Sequence, residues 1–293
     1  MRRGPLLMIL ASLMFTVMVT AVKYCRSEMS GIDLAFWRGL VSVPLVALTM
    51  RGAGFRLRHR GLFLARAGFG VAAMTLYFTA TRGMSLVDLN LVTRLQPILV
   101  GLAAPWVLGR DERAGGRTWL AAALGLTGAA VILAPDLSLG SRWGLVAFAA
   151  TGCSAAAHIA LRRLSTVEHG RTIVFWFHLF MTAATGLLVA VFERRFPWPP
   201  RELWIPVLTI GVFATIGQLL VTKAYASARA PLVAASSYAG VLWSLVADLT
   251  VFDLVPDAAA LAGGVLVLGA TALILSDRRA ERAPEVQAVL PER

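Results

Sequence analysis

Three arginines, Arg38, Arg66 and Arg94, lie within long apolar stretches of this chain of 293 residues. A cation in hydrocarbon is costly, so a helix that carries one turns it toward a cavity or a neighbouring helix. A guanidinium is also a permanent charge whose planar fork matches a carboxylate. The stretch around Arg94 is the most informative. Asn90, Thr93, Arg94 and Pro97 recur at i, i+3, i+4 and i+7, one face of a helix. Pro97 has no N–H to offer the Thr93 carbonyl, which predicts a bend and a free backbone acceptor on that face. Arg94 reads as the carboxylate partner of a ligand, or as half of a structural pair with Asp88 or Asp248. Arg38 offers the same chemistry between Trp37 and Pro44. Arg66 is close enough to the end of its stretch to snorkel to the interface.

Other polar residues follow helical spacing. Ser236, Gly240, Ser244 and Asp248 are four apart, with Ser237, Tyr238 and Trp243 among them, and Thr215, Gln218 and Thr222 share a face. Ser154 and His158, Tyr77, and Trp176 and His178 add to these. Singly, each suits packing or an interhelical hydrogen bond. Together they describe a cavity with amide, hydroxyl, aromatic and cationic groups and few carboxylates. Such a cavity suits a zwitterion, with Arg94 on its carboxylate and Tyr77, Trp176, Tyr238 or Trp243 making apolar or cation–π contacts. Asn90, Thr93, Arg38, His158, Gln218, Ser237 and Ser244 complete the candidate lining, and Pro44, Pro97 and Gly240 are candidate hinges.

Competing chemistries leave thinner traces. Gly152-Cys153-Ser154 with His158 one turn along resembles a nucleophile and base, but no third orienting group or oxyanion hole accompanies them. Cys25 and Cys153 have neither disulfide nor metal-type spacing. No G-x-x-x-x-G-K-[ST] loop occurs, so direct ATP use is not expected, and no cofactor or metal is implied. Asp33, Asp88 and Asp248 lie near span ends, which favours gradient-driven movement and leaves an Asp-based proton exchange as the alternative.

The elements that position these residues follow from composition. The chain is 58% hydrophobic and 15% charged, too apolar for a water-soluble domain of this size. A membrane-spanning helix takes roughly 20 apolar residues. Ten stretches qualify: 6–22, 32–50, 61–81, 86–108, 118–134, 143–161, 172–192, 203–222, 232–252 and 258–275. They lack the alternation of barrel strands. The first also reads as a signal peptide after Arg2 and Arg3, yet no small-residue cleavage site closes it, so a retained helix is expected. The net charge of +12 is scattered over loops rather than gathered on one face, which argues against nucleic acid. With both termini cytoplasmic, 18 of the 28 basic residues fall inside and seven outside, leaving the three intramembrane arginines. Trp106, Trp119, Trp143 and Trp204 at span ends fit an aromatic belt.

Leu124-Gly125-x-Thr127 matches Leu268-Gly269-x-Thr271 at an offset of 144 residues, and Ala80 falls on Ala224. The chain thus divides into residues 1–135, residues 136–276 and a cytoplasmic tail, 277–293. Five spans per half is an odd number, so the second copy enters the membrane inverted.

Ten spans in this arrangement, with Leu95-Gln96-Pro97-Ile98, Leu108-Gly109-Arg110-Asp111-Glu112 and Ser237-Tyr238-Ala239-Gly240, resemble the drug/metabolite transporter superfamily of EamA type. The resemblance covers nearly the whole chain, and within the family the general likeness is to bacterial amino-acid exporters. It implies an all-α integral membrane protein: ten transmembrane helices as two inverted five-helix repeats around a central cavity, with the fifth and tenth spans peripheral. It further implies alternating-access export of small organic solutes, amino acids including aromatic ones, across a bacterial inner membrane. At the second corner Asp253 stands where the family usually has Glu. Gly125, Gly128, Gly263, Gly264 and Gly269 permit either a homodimer through the fifth and tenth spans or close packing within one chain.

Overall fold

The computed structural model describes residues 3–50, 54–80, 83–84, 86–133, 142–193 and 196–276. The expected tail 277–293 and Arg2, Arg51, Arg82, Arg194 and Arg195 lie outside them. Among the described residues every regular element is helical. The helices are α1 (Arg3–Cys25), α2 (Gly31–Thr49), α3 (Arg60–Ala80), α4 (Leu86–Thr93), α5 (Gln96–Leu108), α6 (Gly116–Leu133), α7 (Arg142–Leu164), α8 (Gly170–Leu188), α9 (Trp204–Ser227), α10 (Ala230–Ser236), α11 (Ala239–Val251) and α12 (Ala258–Ser276). With α4–α5 and α10–α11 each taken as one broken span, nine spans among the described residues are long and apolar enough to cross a membrane. The helix outside that count is α3, whose apolar run is diluted by Arg60, Arg66 and three glycines. The chain is a multi-pass membrane protein.

Local chemistry sets the ends and the breaks. Ser30 caps α2 in a capping box: its hydroxyl accepts from Asp33 N at 3.2 Å, and the Asp33 carboxylate accepts from Ser30 N at 3.3 Å. Pro97 and Pro231 stand in the first turns of α5 and α10, where a missing N–H costs nothing. The fourth span breaks at Arg94–Leu95, as Pro97 predicts, and the ninth breaks at Ser237–Tyr238 without a proline. The corners after these two spans turn through positive φ at Gly109 (113°) and Asp253 (51°), positions 144 residues apart. Pro44 behaves otherwise. It sits inside an unbroken α2 on the exposed side and makes no hinge there, because a single lost backbone bond is tolerated in a packed span.

Helix pairing follows a pattern. The first span packs most extensively on the eighth (α1 on α9), the third on the sixth (α3 on α7), the fifth on the tenth (α6 on α12), and the second on the seventh (α2 on α8). Exchanging spans one to five for six to ten returns the same set of pairs. Small residues allow the close approaches, since helices in lipid gain little from apolar burial against one another. A Cβ at Gly128 would lie 2.6 Å from the Gly263 carbonyl, and one at Gly125 would lie 2.6 Å from the Tyr238 ring. Gly269 alone of the five noted glycines has open space beside it. Leu48, Leu145, Ile205 and Val265 point outward and form lipid-facing surface.

Candidate functional site

A cavity of about 810 Å³ lies between the two halves. It is walled by α1, α2, α3, both broken spans, α7, α8 and α9, and by Ile132 and Leu133 at the end of α6. A second space of about 480 Å³ adjoins it, with Val19, Arg38, Ala73, Met74 and Ser154 in both walls. At the end away from the N-terminus the lining reaches Lys23, Asp248 and Phe252. There Lys23 and Asp248 form an exposed ion pair at 3.8 Å. The N-terminal end is closed by a buried cluster in which Leu161, Leu164, Tyr225 and Val233 pack together.

That closure has a polar clamp. Glu112, in the corner after α5, accepts from Arg162 Nε at 2.8 Å and from Ala230 N, at the start of α10, at 2.6 Å. Arg162 Nη1 donates to the carbonyls of Tyr225 at 2.6 Å and Ala226 at 3.2 Å. The corner of the first half thus holds the ends of α7, α9 and α10 of the second. Position 256, 144 residues after Glu112, is a proline; Asp253, expected as the acid of that corner, falls opposite Gly109 instead, and Asp257 accepts from Ala260 N at 2.7 Å at the start of α12.

The break in the fourth span brings Arg94 to the cavity. Ile98 N bonds to Leu95 O at 3.0 Å in place of the carbonyl four residues back, which leaves the Arg94 carbonyl open, and the Tyr238 hydroxyl donates to it at 2.7 Å. The backbone acceptor that a side chain fills is therefore Arg94's, one residue beyond the one expected. Gly240 lies beside the guanidinium: a Cβ there would be 4.0 Å from Arg94 Nη1. Arg38, Arg66, Asn90, His158, Gln218, Ser237 and Ser244 line the same cavity. Tyr77 and Thr93 line the adjoining one, and the Tyr77 hydroxyl donates to Asn90 Oδ1 at 3.3 Å.

Three aromatic candidates are not brought in. Trp176 Nε1 donates to Phe55 O at 2.8 Å, because Phe177 and Met181 take the cavity-facing side of α8. Trp243 Nε1 donates to Ile9 O of α1 at 3.2 Å, and Tyr238 is buried against Ala122 and Val267 with its hydroxyl on Arg94. A buried Trp or Tyr seeks a partner for its polar handle, and backbone carbonyls supplied all three.

Arg66 departs from the snorkelling expectation. It is 6% exposed, its guanidinium lies 4.4 Å over the Phe177 ring, and it lines the cavity. Its signal was present in the sequence: Arg66, Gly70, Ala73, Met74 and Tyr77 share one helical face, and all five line the two spaces. Among the described residues no carboxylate lies within ion-pair distance of Arg38, Arg66 or Arg94, and Asp248 pairs with Lys23 instead. The Ser154–His158 dyad is not formed through Nδ1, which contacts the Ser154 carbonyl at 2.8 Å.

A lipid-facing helical bundle around a polar central cavity defines a membrane transporter. The sequence model of the EamA-like transporter family matches residues 2–134 and again 141–276, and the chain belongs to that family. It is 30% identical over 273 residues to a pseudopaline exporter of Pseudomonas aeruginosa, covering 92% of this chain and 94% of the relative. It is 25% identical over 289 residues to a riboflavin transporter of Rhizobium johnstonii, with 96% and 94% covered. A solved crystal structure superposes with a TM-score of 0.82 at 21% identity, over 95% of this chain and 98% of that one, which speaks to the fold alone.

Proposed function

We propose that this chain exports small organic solutes bearing a carboxylate, amino acids among them, across a bacterial inner membrane. Transport proceeds by alternating access between two inverted five-helix halves. The observation that carries this reading is Arg94, without a carboxylate partner among the described residues, in the wall of a cavity of about 810 Å³ between those halves. The pairing of spans, which survives exchange of the halves, and the corners 144 residues apart support the inverted repeat. The loop charges support cytoplasmic termini. In that orientation the clamp at Glu112 closes the cytoplasmic side and the cavity opens outward, as at the end of an export stroke. A homodimer through α6 and α12 would use their outer faces, since their facing glycines are occupied within the chain.

The relatives named above carry pseudopaline or riboflavin, so the test needs a broad panel. Flux of labelled amino acids, riboflavin and organic acids is measured in proteoliposomes, wild type beside Arg94→Ala, with and without a pH gradient. Saturable flux of a carboxylate-bearing solute that Arg94→Ala abolishes is the expected result. Flux confined to solutes without a carboxylate, or untouched by Arg94→Ala, removes Arg94 as the carboxylate partner.

A further inference from the structure

The charge in the cavity does not match a simple zwitterion. Arg38 from α2, Arg66 from α3 and Arg94 from the broken span all line one space, and among the described residues none has a carboxylate partner. Asp248 is the one acidic side chain in the described lining, and Lys23 at the mouth already engages it. An amino acid bound here would place one carboxylate against three cations and would leave its ammonium group without an anion.

Trp176, Tyr238 and Trp243 do not supply that ammonium site either. They are not among the lining residues and spend their polar hydrogens on backbone carbonyls, and Arg66 lies over the Phe177 face. Ser12, Thr16, Ser237 and Ser244 in the lining donate to carbonyls of their own helices, so the guanidinium groups are the principal charged donors that face a solute. Gln96 also lines the cavity, with the buried Tyr225 hydroxyl beside its side chain. Three like charges around one cavity repel one another, and anionic charge on a solute relieves this more with each carboxylate it brings.

We propose that the cavity takes a small organic polyanion with two or more carboxylates, one held at Arg94 and another at Arg38 and Arg66. This rests on the cavity being the transport site. Arg66 then becomes a substrate-selecting residue rather than a packing one, and the pocket volume leaves room for a solute larger than a single amino acid.

Binding and flux of L-phenylalanine, L-glutamate and citrate by the full chain, in nanodiscs and proteoliposomes, test it. Affinity is expected to rise by about tenfold or more with each added carboxylate and to fall as salt is raised. Arg66→Gln is expected to lower citrate affinity by a similar factor and phenylalanine affinity by much less, and Arg66→Lys is expected to recover part of the citrate loss. Equal affinity for the three solutes, or citrate binding indifferent to Arg66→Gln in a variant with wild-type melting, overturns the polyanion assignment and leaves the transport site standing. Flux of some solute that competes with none of the three, and is insensitive to Arg38, Arg66 and Arg94 alike, overturns the site itself.

Discussion

The Tyr238 hydroxyl reaches from the break in the ninth span to the Arg94 carbonyl in the break of the fourth, at 2.7 Å. One bond therefore ties the two interrupted spans together at the depth of the cavity. Tyr238→Phe keeps the ring against Gly125 and removes the bond, leaving a buried carbonyl unpaired. A loss of about 1–3 kcal/mol is expected, read as a lower melting temperature in detergent, with weakened substrate affinity as Arg94 loses its anchor. Unchanged melting and affinity would show that the bond is replaced. Arg94 itself was legible in the sequence, because Asn90, Thr93 and Pro97 mark the same helical face. The aromatic residues were not, since residue type does not say which way round a helix a side chain points. Arg66 was misjudged by its distance from the span end, when its face, shared with Gly70 and Tyr77, was the better guide.

At the scale of elements, apolar run length located the helices to within about five residues, nine of them long and apolar enough to span, and proline chemistry foretold the break after Thr93. The break at Ser237–Tyr238 carries no such mark. Pro44 shows the converse, a proline that breaks nothing. Least visible was the clamp, because Glu112, Arg162 and Ala230 are far apart in the chain and meet only when two corners fold against each other. Both charged groups are nearly buried, with side-chain exposures of 9% and 10%. Glu112→Ala leaves Arg162 buried without its anion and uncovers the Ala230 N–H, an expected cost of about 3–5 kcal/mol. The measurements are thermal melting and the labelling rate of a cysteine placed at Leu164: melting should fall and labelling should rise. A variant that melts and labels as the wild type does would show that the apolar cluster alone closes this end.

For the molecule as a whole, α6 and α12 form a side buttress joined through Gly128 and Gly263, with the cavity touched only by Ile132 and Leu133. Gly128→Leu should force these helices apart and cost about 1–3 kcal/mol by overpacking, while substrate affinity in the folded fraction stays near wild type. A binding loss larger than the change in melting would mean the buttress also shapes the cavity. The paired arrangement of halves was legible from the 144-residue offset, whereas the unequal fastening of the two faces was not. One face is held by a desolvated ion pair with three further hydrogen bonds around it, the other by a wet one between Lys23 and Asp248. That inequality has a kinetic meaning. Under the proposed export cycle an empty carrier has to reopen the tightly fastened face before it can load again, so the unloaded return is expected to be the slow half, and solute supplied on the opposite side is expected to speed the departure of solute from within.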